Sequence, residues 1–590
     1  NTLYGKDLSF LPSAPAITFL GNTLVLELFG SVLLQSSTSI SNGYDVTWNL
    51  SGSGTHTITT NGNELSRIKF NGTGSYTLMD SLTLSHELEF YSGDFDANEK
   101  KVRVRTLYGN LASTTDEVDF SNCEIILNDS WRAAEFVGES GYIFSGSTIH
   151  VVGDGARINC FANDTISLNE VFMIDNARNE ISANYKFKIK TVHFDNIHPI
   201  WNIYQIDTLY IEGSSVLSCN GGNALRVKAI IQSGQCGDML HLQGEHDDNQ
   251  VDLIALNPLS LSNVTTLNLW VSGASVSASP GYSINNTSGI SFSAPNPSTY
   301  YWIGGSGDWD DANNWSITSG GAAASCIPGL LDHVVFDNNS SSSDFTVITP
   351  FQVHVGDIIS TTNQNLEIQG ACWFGINGSA TLNANSQLNL EPLGYDAHLV
   401  FTSNSATTDT IKIHSQIRSS VYFIGSGYWH ISDSLAVSQG LSVIAGHVNM
   451  PDIQVRCDQF RDRYYPFGVG INDSVYMNIT DAHIITRHLE FRKYDFEWDY
   501  DRSVVELQGE YPRCYFDETH PFWELRVSNP VANCEIHWDG FEAKLFNNYG
   551  KTKVHSYQYD HNWDTLRLHS NAELSFADHP QKVFVKHLDT

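Results

Sequence analysis

The chain has 590 residues, with 65 acidic against 32 basic side chains for a formal charge of −33, and 41% of it is hydrophobic and 12% aromatic. That charge repels phosphate backbones and anionic lipid surfaces, which excludes nucleic-acid binding, and the apolar content excludes a disordered chain. Outside the apolar residues, Gly, Ser, Asn and Thr dominate and strong helix formers are sparse, an all-β composition.

From the N-terminus onward no membrane insertion is expected. Asn1 is followed by nothing that resembles a signal peptide, and the most hydrophobic run, Leu24 to Leu34, is too short to span a bilayer and carries Glu27. Short alternating runs follow at close intervals: Leu82/Leu84, Val102/Val104 and Ile125/Leu127, at steps of 20 and 23 residues. Runs of this kind, bounded by Gly, Asn, Asp and Ser, predict strands whose apolar side chains face one way. Steps of about 20 to 25 residues match a solenoid period, so the predicted fold is a right-handed parallel β-helix. A string of β-sandwiches is the alternative, disfavoured by the scarcity of Asn-Gly and Asp-Gly hairpin turns.

The chain then repeats itself at an offset of 353 residues. Phe70, Gly72, Gly74, Asp80, Leu82, Gly93 and Val102 recur as Phe423, Gly425, Gly427, Asp433, Leu435, Gly446 and Val455, and further on, where the offset has drifted to 356, Arg157 recurs as Arg513. What recurs is mainly glycine and core-type residues, which suits a repeated scaffold better than a single catalytic pocket. The division is a first solenoid over 1–298, a Trp/Gly-rich junction over 299–345 and a second solenoid over 346–590, read as part of a longer array. The Pro/Ser-rich stretch before residue 299 is a candidate hinge. Gly304, Gly305 and Gly307 would let Trp302, Trp309 and Trp315 fold over an open solenoid end, with carbohydrate stacking as the alternative role for these rings.

The junction, TYYWIGGSGDWDDANNWS from Thr299, resembles a Trp/Gly-rich segment that recurs in very large repetitive surface proteins of Bacteroidota, among them gliding and attachment adhesins exported by type IX secretion. The matching residues are Tyr301, Trp302, Gly304, Gly305, Gly307, Trp309, Asp311, Trp315, Ser316, Pro328, Asp332, Phe336 and Asp337. Gly93, Phe95, Asp96 and Asn98 also fit that family's recurring coil, whereas Val448 and Pro451 depart from it in the second copy. The resemblance implies an extracellular, cell-surface adhesin or appendage. Its partners would be other repeats of the same chain, further copies in an oligomer or filament bundle, and cell-surface glycans or prey and substrate surfaces.

Several residue groups are candidate sites. Asp308, Asp310, Asp311, Asn313 and Asn314 place five oxygen-bearing side chains within seven residues, a density that suits calcium, although the loop lacks the spacing of an EF-hand. Asp followed by Ser or Thr and an aliphatic residue recurs at Ser81, Thr165, Thr208, Thr410, Ser434, Ser474 and Thr565. It resembles the O-glycosylation acceptor of Bacteroidota surface proteins and is equally a turn-to-strand entry. The nine cysteines show no metal-binding spacing and read as small buried hydrophobes, with a disulfide such as Cys219 to Cys236 as the alternative. No acidic cluster recurs with a basic partner at coil spacing, and the recurring Arg157 and Arg513 read as structural ion pairs, so no enzyme is expected. The expected function is mechanical reach and attachment. The alternative is a glycan-binding or glycan-cleaving β-helix that uses Trp498, Trp523, Trp538 and Trp563.

Overall fold

In the computed structural model the described residues are 2–9, 17–18, 23–35, 40–41, 45–139, 141–153, 155–163, 165–173, 179–183, 187–201, 205–220, 224–234, 236–244, 251–370, 373–390, 397–462, 474–491, 496–516, 521–538, 542–555, 561–577 and 583–589. They form a parallel β-solenoid of about 23 turns, as the strand spacing predicted. Among them the one helical element is the 3-10 turn Ala312–Asn314.

The alternating runs stack in register. Leu82 lies on Val102 and Val102 on Ile125, all buried, while Thr83 and Arg103 face outward. Each inward side chain therefore rests on its counterpart one coil away, about 4.8 Å along the axis. Burying a Leu or Val in this way stabilises by roughly 1.5–3 kcal/mol. Aromatic rings follow the same rule: Phe70 stacks on Phe90 at 4.9 Å, and its repeat-mate Phe423 stacks on Phe401 at 4.9 Å.

The repeated glycines mark one tight corner, built twice. Gly93 has φ +83, and a Cβ there would lie 2.6 Å from the carbonyl oxygens of both Gly72 and Gly74. Gly446 has φ +78, and its Cβ would lie 2.6 and 2.8 Å from those of Gly425 and Gly427. Backbone touches backbone at this corner, and only glycine fits both the dihedral and the space.

A second set of sheets begins at Thr299–Trp302. From there most coils contribute three strands, for example Ile358–Ser360, Leu366–Gly370 and Trp373–Ile376, and the described residues form sheets of ten, five, eleven and eight strands. The sole antiparallel pairing among the described residues joins Tyr301 and Trp302 to Ser316 and Trp315. That hairpin closes the start of the second solenoid. Trp302, Trp309 and Trp315 are buried beneath it, with Trp302 and Trp315 edge to face at 5.0 Å. Their rings belong to the core, which corrects the alternative that they stack on carbohydrate.

The two solenoids lie side by side. Val216, Leu267 and Ile284 of the first pack with Trp373, Val400, Tyr422, Ile424, Ile444 and Ala445 of the second. His241 stacks on Trp373, Tyr282 Oη donates to the Thr402 carbonyl at 2.9 Å, Asn285 Nδ2 donates to the Ile424 carbonyl at 3.1 Å, and Asn404 Nδ2 donates to the Ser283 carbonyl at 2.8 Å. Contact positions ascend together in both solenoids, so the axes run in the same direction and overlap with a stagger. Cys236 and Cys326 form a disulfide at the start of the overlap.

This arrangement corrects two expectations. The stretch before Thr299 is not an open hinge, because apolar contacts and a covalent bond tie the coils on either side of it together. Cys236 pairs with Cys326 and not with Cys219, which is buried and unbridged, as are Cys123, Cys160, Cys457, Cys514 and Cys534. These six fill the core as small hydrophobes, and Cys372 lies outside the described residues.

Candidate functional site

On the first solenoid a groove of about 400 Å³ runs along the outer face, lined by Glu87, Glu89, Tyr91, Arg105, Thr106, Tyr108, Asp129, Trp131 and Arg132. Parallel pairing places these side chains: Lys69 opposes Glu89, Glu89 opposes Tyr108, and Tyr108 opposes Glu135 on successive coils. Outward positions of an alternating strand thus become a column of charged and aromatic groups.

The charges in and beside the groove are paired. Arg67 bonds Glu87 at 2.5 Å and Glu89 at 3.3 Å, and Lys69 reaches Glu89 at 2.9 Å. Arg105 lies 3.3 Å from Asp129, and Arg132 lies 2.9 Å from Glu135. Tyr91 donates its hydroxyl to Glu89 at 2.7 Å, and burial together with that carboxylate raises its pKa. Burial opposes ionisation of Asp129, but the Thr106 hydroxyl at 2.8 Å, the Trp131 N–H at 2.9 Å and the Arg105 guanidinium outweigh it and hold the carboxyl below its usual range.

Trp131 is 65% exposed yet anchored. Asp129 accepts its backbone N–H, and the Arg157 guanidinium sits 4.8 Å from its ring centroid. Arg157 is held in turn by Glu180 at 3.1 Å, across the register pair of the next coil. Its repeat-mate Arg513 lies 3.7 Å from Glu535 across the equivalent pair. The recurring arginines are coil-to-coil ion pairs, and the first of them also supports an exposed indole. No sequence motif announced this groove, because Glu89, Tyr108 and Asp129 come together only through coil stacking.

The Asp308 to Asn314 loop turns back on itself. Asp311 caps the 3-10 turn by accepting the Asn313 N–H at 2.9 Å and its Nδ2 at 2.8 Å, while Asn314 Nδ2 donates to the Asp308 carbonyl at 2.8 Å. Burial raises the pKa of Asp310, and neighbouring Asp308 acts in the same direction. Among the described residues no three His, Cys, Asp or Glu side chains are grouped to hold a metal ion.

Of the Ser and Thr residues singled out, Ser81, Thr165, Thr410, Ser434 and Ser474 are exposed and Thr208 and Thr565 half-buried, while Asp164 and Asp473 lie outside the described residues. Several of the preceding aspartates have structural partners: Asp80 accepts the Thr60 N–H at 2.8 Å, and Asp433 accepts the Ser434 N–H at 2.8 Å. Trp498 and Trp563 are buried, and Trp523 is half-buried with Lys544 Nζ 3.8 Å from its ring centroid. The Trp538 side chain lies outside the described residues. Trp498 and Trp563 are therefore core residues, which corrects their assignment to a glycan surface.

Comparison of the chain with protein-family models, with curated proteins and with solved structures finds no match.

Proposed function

We propose that this chain is a structural and adhesive segment of a large extracellular bacterial surface protein or appendage, and that it works by reach and attachment, not by catalysis. The staggered, side-by-side overlap of two solenoids carries this reading. Chemistry at one pocket does not need two stacked scaffolds joined along their sides, whereas a load-bearing element gains stiffness from the arrangement. A disulfide between the solenoids suits an oxidising exterior, and a charge of −33 suits a long β-rich surface that must not self-associate at its edges.

The resemblance of the Trp/Gly-rich junction to repetitive Bacteroidota adhesins supports the same reading and brings type IX export with it. O-glycans on exposed Ser81, Thr165, Thr410, Ser434 and Ser474 belong to it as well, and the intact mass of the secreted protein tests them. Attachment is tested with beads coated with the purified chain. They should remain on cell and polysaccharide surfaces under a flow that removes albumin-coated beads, and equal loss of both kinds of bead would sink the proposal.

A further inference from the structure

The groove beside Trp131 has the chemistry of a sugar-binding site, and we infer that it binds a neutral pyranose polysaccharide. The inference rests on the attachment reading, to which it adds a ligand class and a place. Three observations carry it.

The first is Trp131. An indole that is 65% exposed costs hydration free energy, and here Asp129 holds the Trp131 backbone N–H while Arg157 lies against the ring. Arg157 lies over the ring, and Trp131 lines the groove. A flat apolar ring held in place beside polar groups is suited to the C–H face of a pyranose, and fixing it in advance lowers the ordering cost of binding.

The second is spacing. Tyr91, Tyr108 and Trp131 come from successive coils, with Tyr91 and Tyr108 5.9 Å apart between ring centroids. Coils follow one another at about 4.8 Å, comparable to the length of one sugar unit, and because Tyr108 opposes Glu89 and Glu135, Tyr91 and Trp131 lie on opposite sides of its row, so the three rings line an oblique path across successive coils.

The third is charge. Arg67, Lys69, Arg105, Arg132 and Arg157 each have a carboxylate within 3.3 Å. Among the described residues in and beside the groove, no uncompensated cation is present to draw a uronate or a sulfate. Paired carboxylates and guanidiniums still have spare acceptor and donor positions, and these match sugar hydroxyls. The favoured ligand is therefore a neutral glycan.

The experiment measures binding of the full chain to neutral gluco-, manno- and galacto-oligosaccharides by titration calorimetry, with oligogalacturonate as the anionic comparison. At least one neutral series should bind. Trp131→Ala should weaken it about tenfold or more, as expected for losing one aromatic contact, while Trp131→Phe keeps most of the affinity. Unchanged thermal melting of Trp131→Ala would show that the variant is folded. Failure of every neutral series, binding only to the uronate, or equal affinity of Trp131→Ala and wild type would each overturn the inference. Coated beads separate the two readings. Beads bearing Trp131→Ala that hold as well as wild type would sink the groove and leave attachment standing. Tight sugar binding by a chain whose beads are swept away would do the reverse.

Discussion

The imidazole of His241 lies against the indole of Trp373, with ring centroids 4.6 Å apart, although one belongs to the first solenoid and the other to the second. Nearby, the ring of His354 extends along the axis over Gly375, where a Cβ would lie 2.9 Å from it, to reach Thr402 Oγ1 at 2.7 Å. Both histidines are fully buried, and burial pushes the pKa of each down to about 3.

A pH dependence follows from that burial. Each histidine stays neutral in the folded protein until about pH 3, whereas the unfolded chain takes up a proton near pH 6.5. Their contribution is complete above pH 6.5 and is lost as the pH falls toward 3, by up to about 1.4 kcal/mol per pH unit for each group. Melting temperature should therefore fall on acidification from pH 7 to 4. The slope should be shallower in a His241→Gln, His354→Gln double variant, and identical slopes would show that these two groups do not control it.

The bond between Cys236 and Cys326 spans 90 residues of chain. Its removal by Cys236→Ser should cost about 2–4 kcal/mol in denaturant unfolding. Thiol labelling of the reduced native protein should reach exposed Cys236 and its partner while Cys123, Cys160, Cys219, Cys457, Cys514 and Cys534 react only on unfolding. Rapid labelling of those six in the folded protein would contradict their placement in the core.

Gly93→Ala and Gly446→Ala should each destabilise by about 2–4 kcal/mol, since both positions combine a positive φ with carbonyl oxygens where the methyl would go. Gly54 also has a positive φ but nothing within 4 Å of its Cβ position, so Gly54→Ala should cost only about 1 kcal/mol. Equal losses at all three sites in urea titrations would mean that crowding at the paired corners contributes nothing.

A chelator should leave the melting temperature unchanged, because Asp311 and Asn314 already satisfy the turn through their own hydrogen bonds. A calcium-dependent rise of several degrees that Asp308→Asn abolishes would instead make the loop a cation site.

The inward-facing half of this fold was legible because it is local. Leu82, Val102 and Ile125 declare their side of the strand by alternation, and the stacking follows from the coil period. Arg157 and Arg513 were legible as ion pairs because both recur. The lateral packing was missed, although a trace of it is present: Trp373–Ile376 and Ser420–Phe423 are buried at every position, and both read as largely apolar runs without clean alternation. Such a run says that both faces are covered, but not by what. The cysteine partner and the groove at Trp131 depend on contacts between distant segments, for which spacing carries no signal.

The stagger between the solenoids also decides how the molecule would answer a pull along its length. A single stack of coils yields from its free end, one coil at a time. Two stacks overlapping along their sides share the force in shear, with His241 on Trp373, Tyr282 on Thr402 and Asn285 on Ile424 loaded together before any coil can peel away.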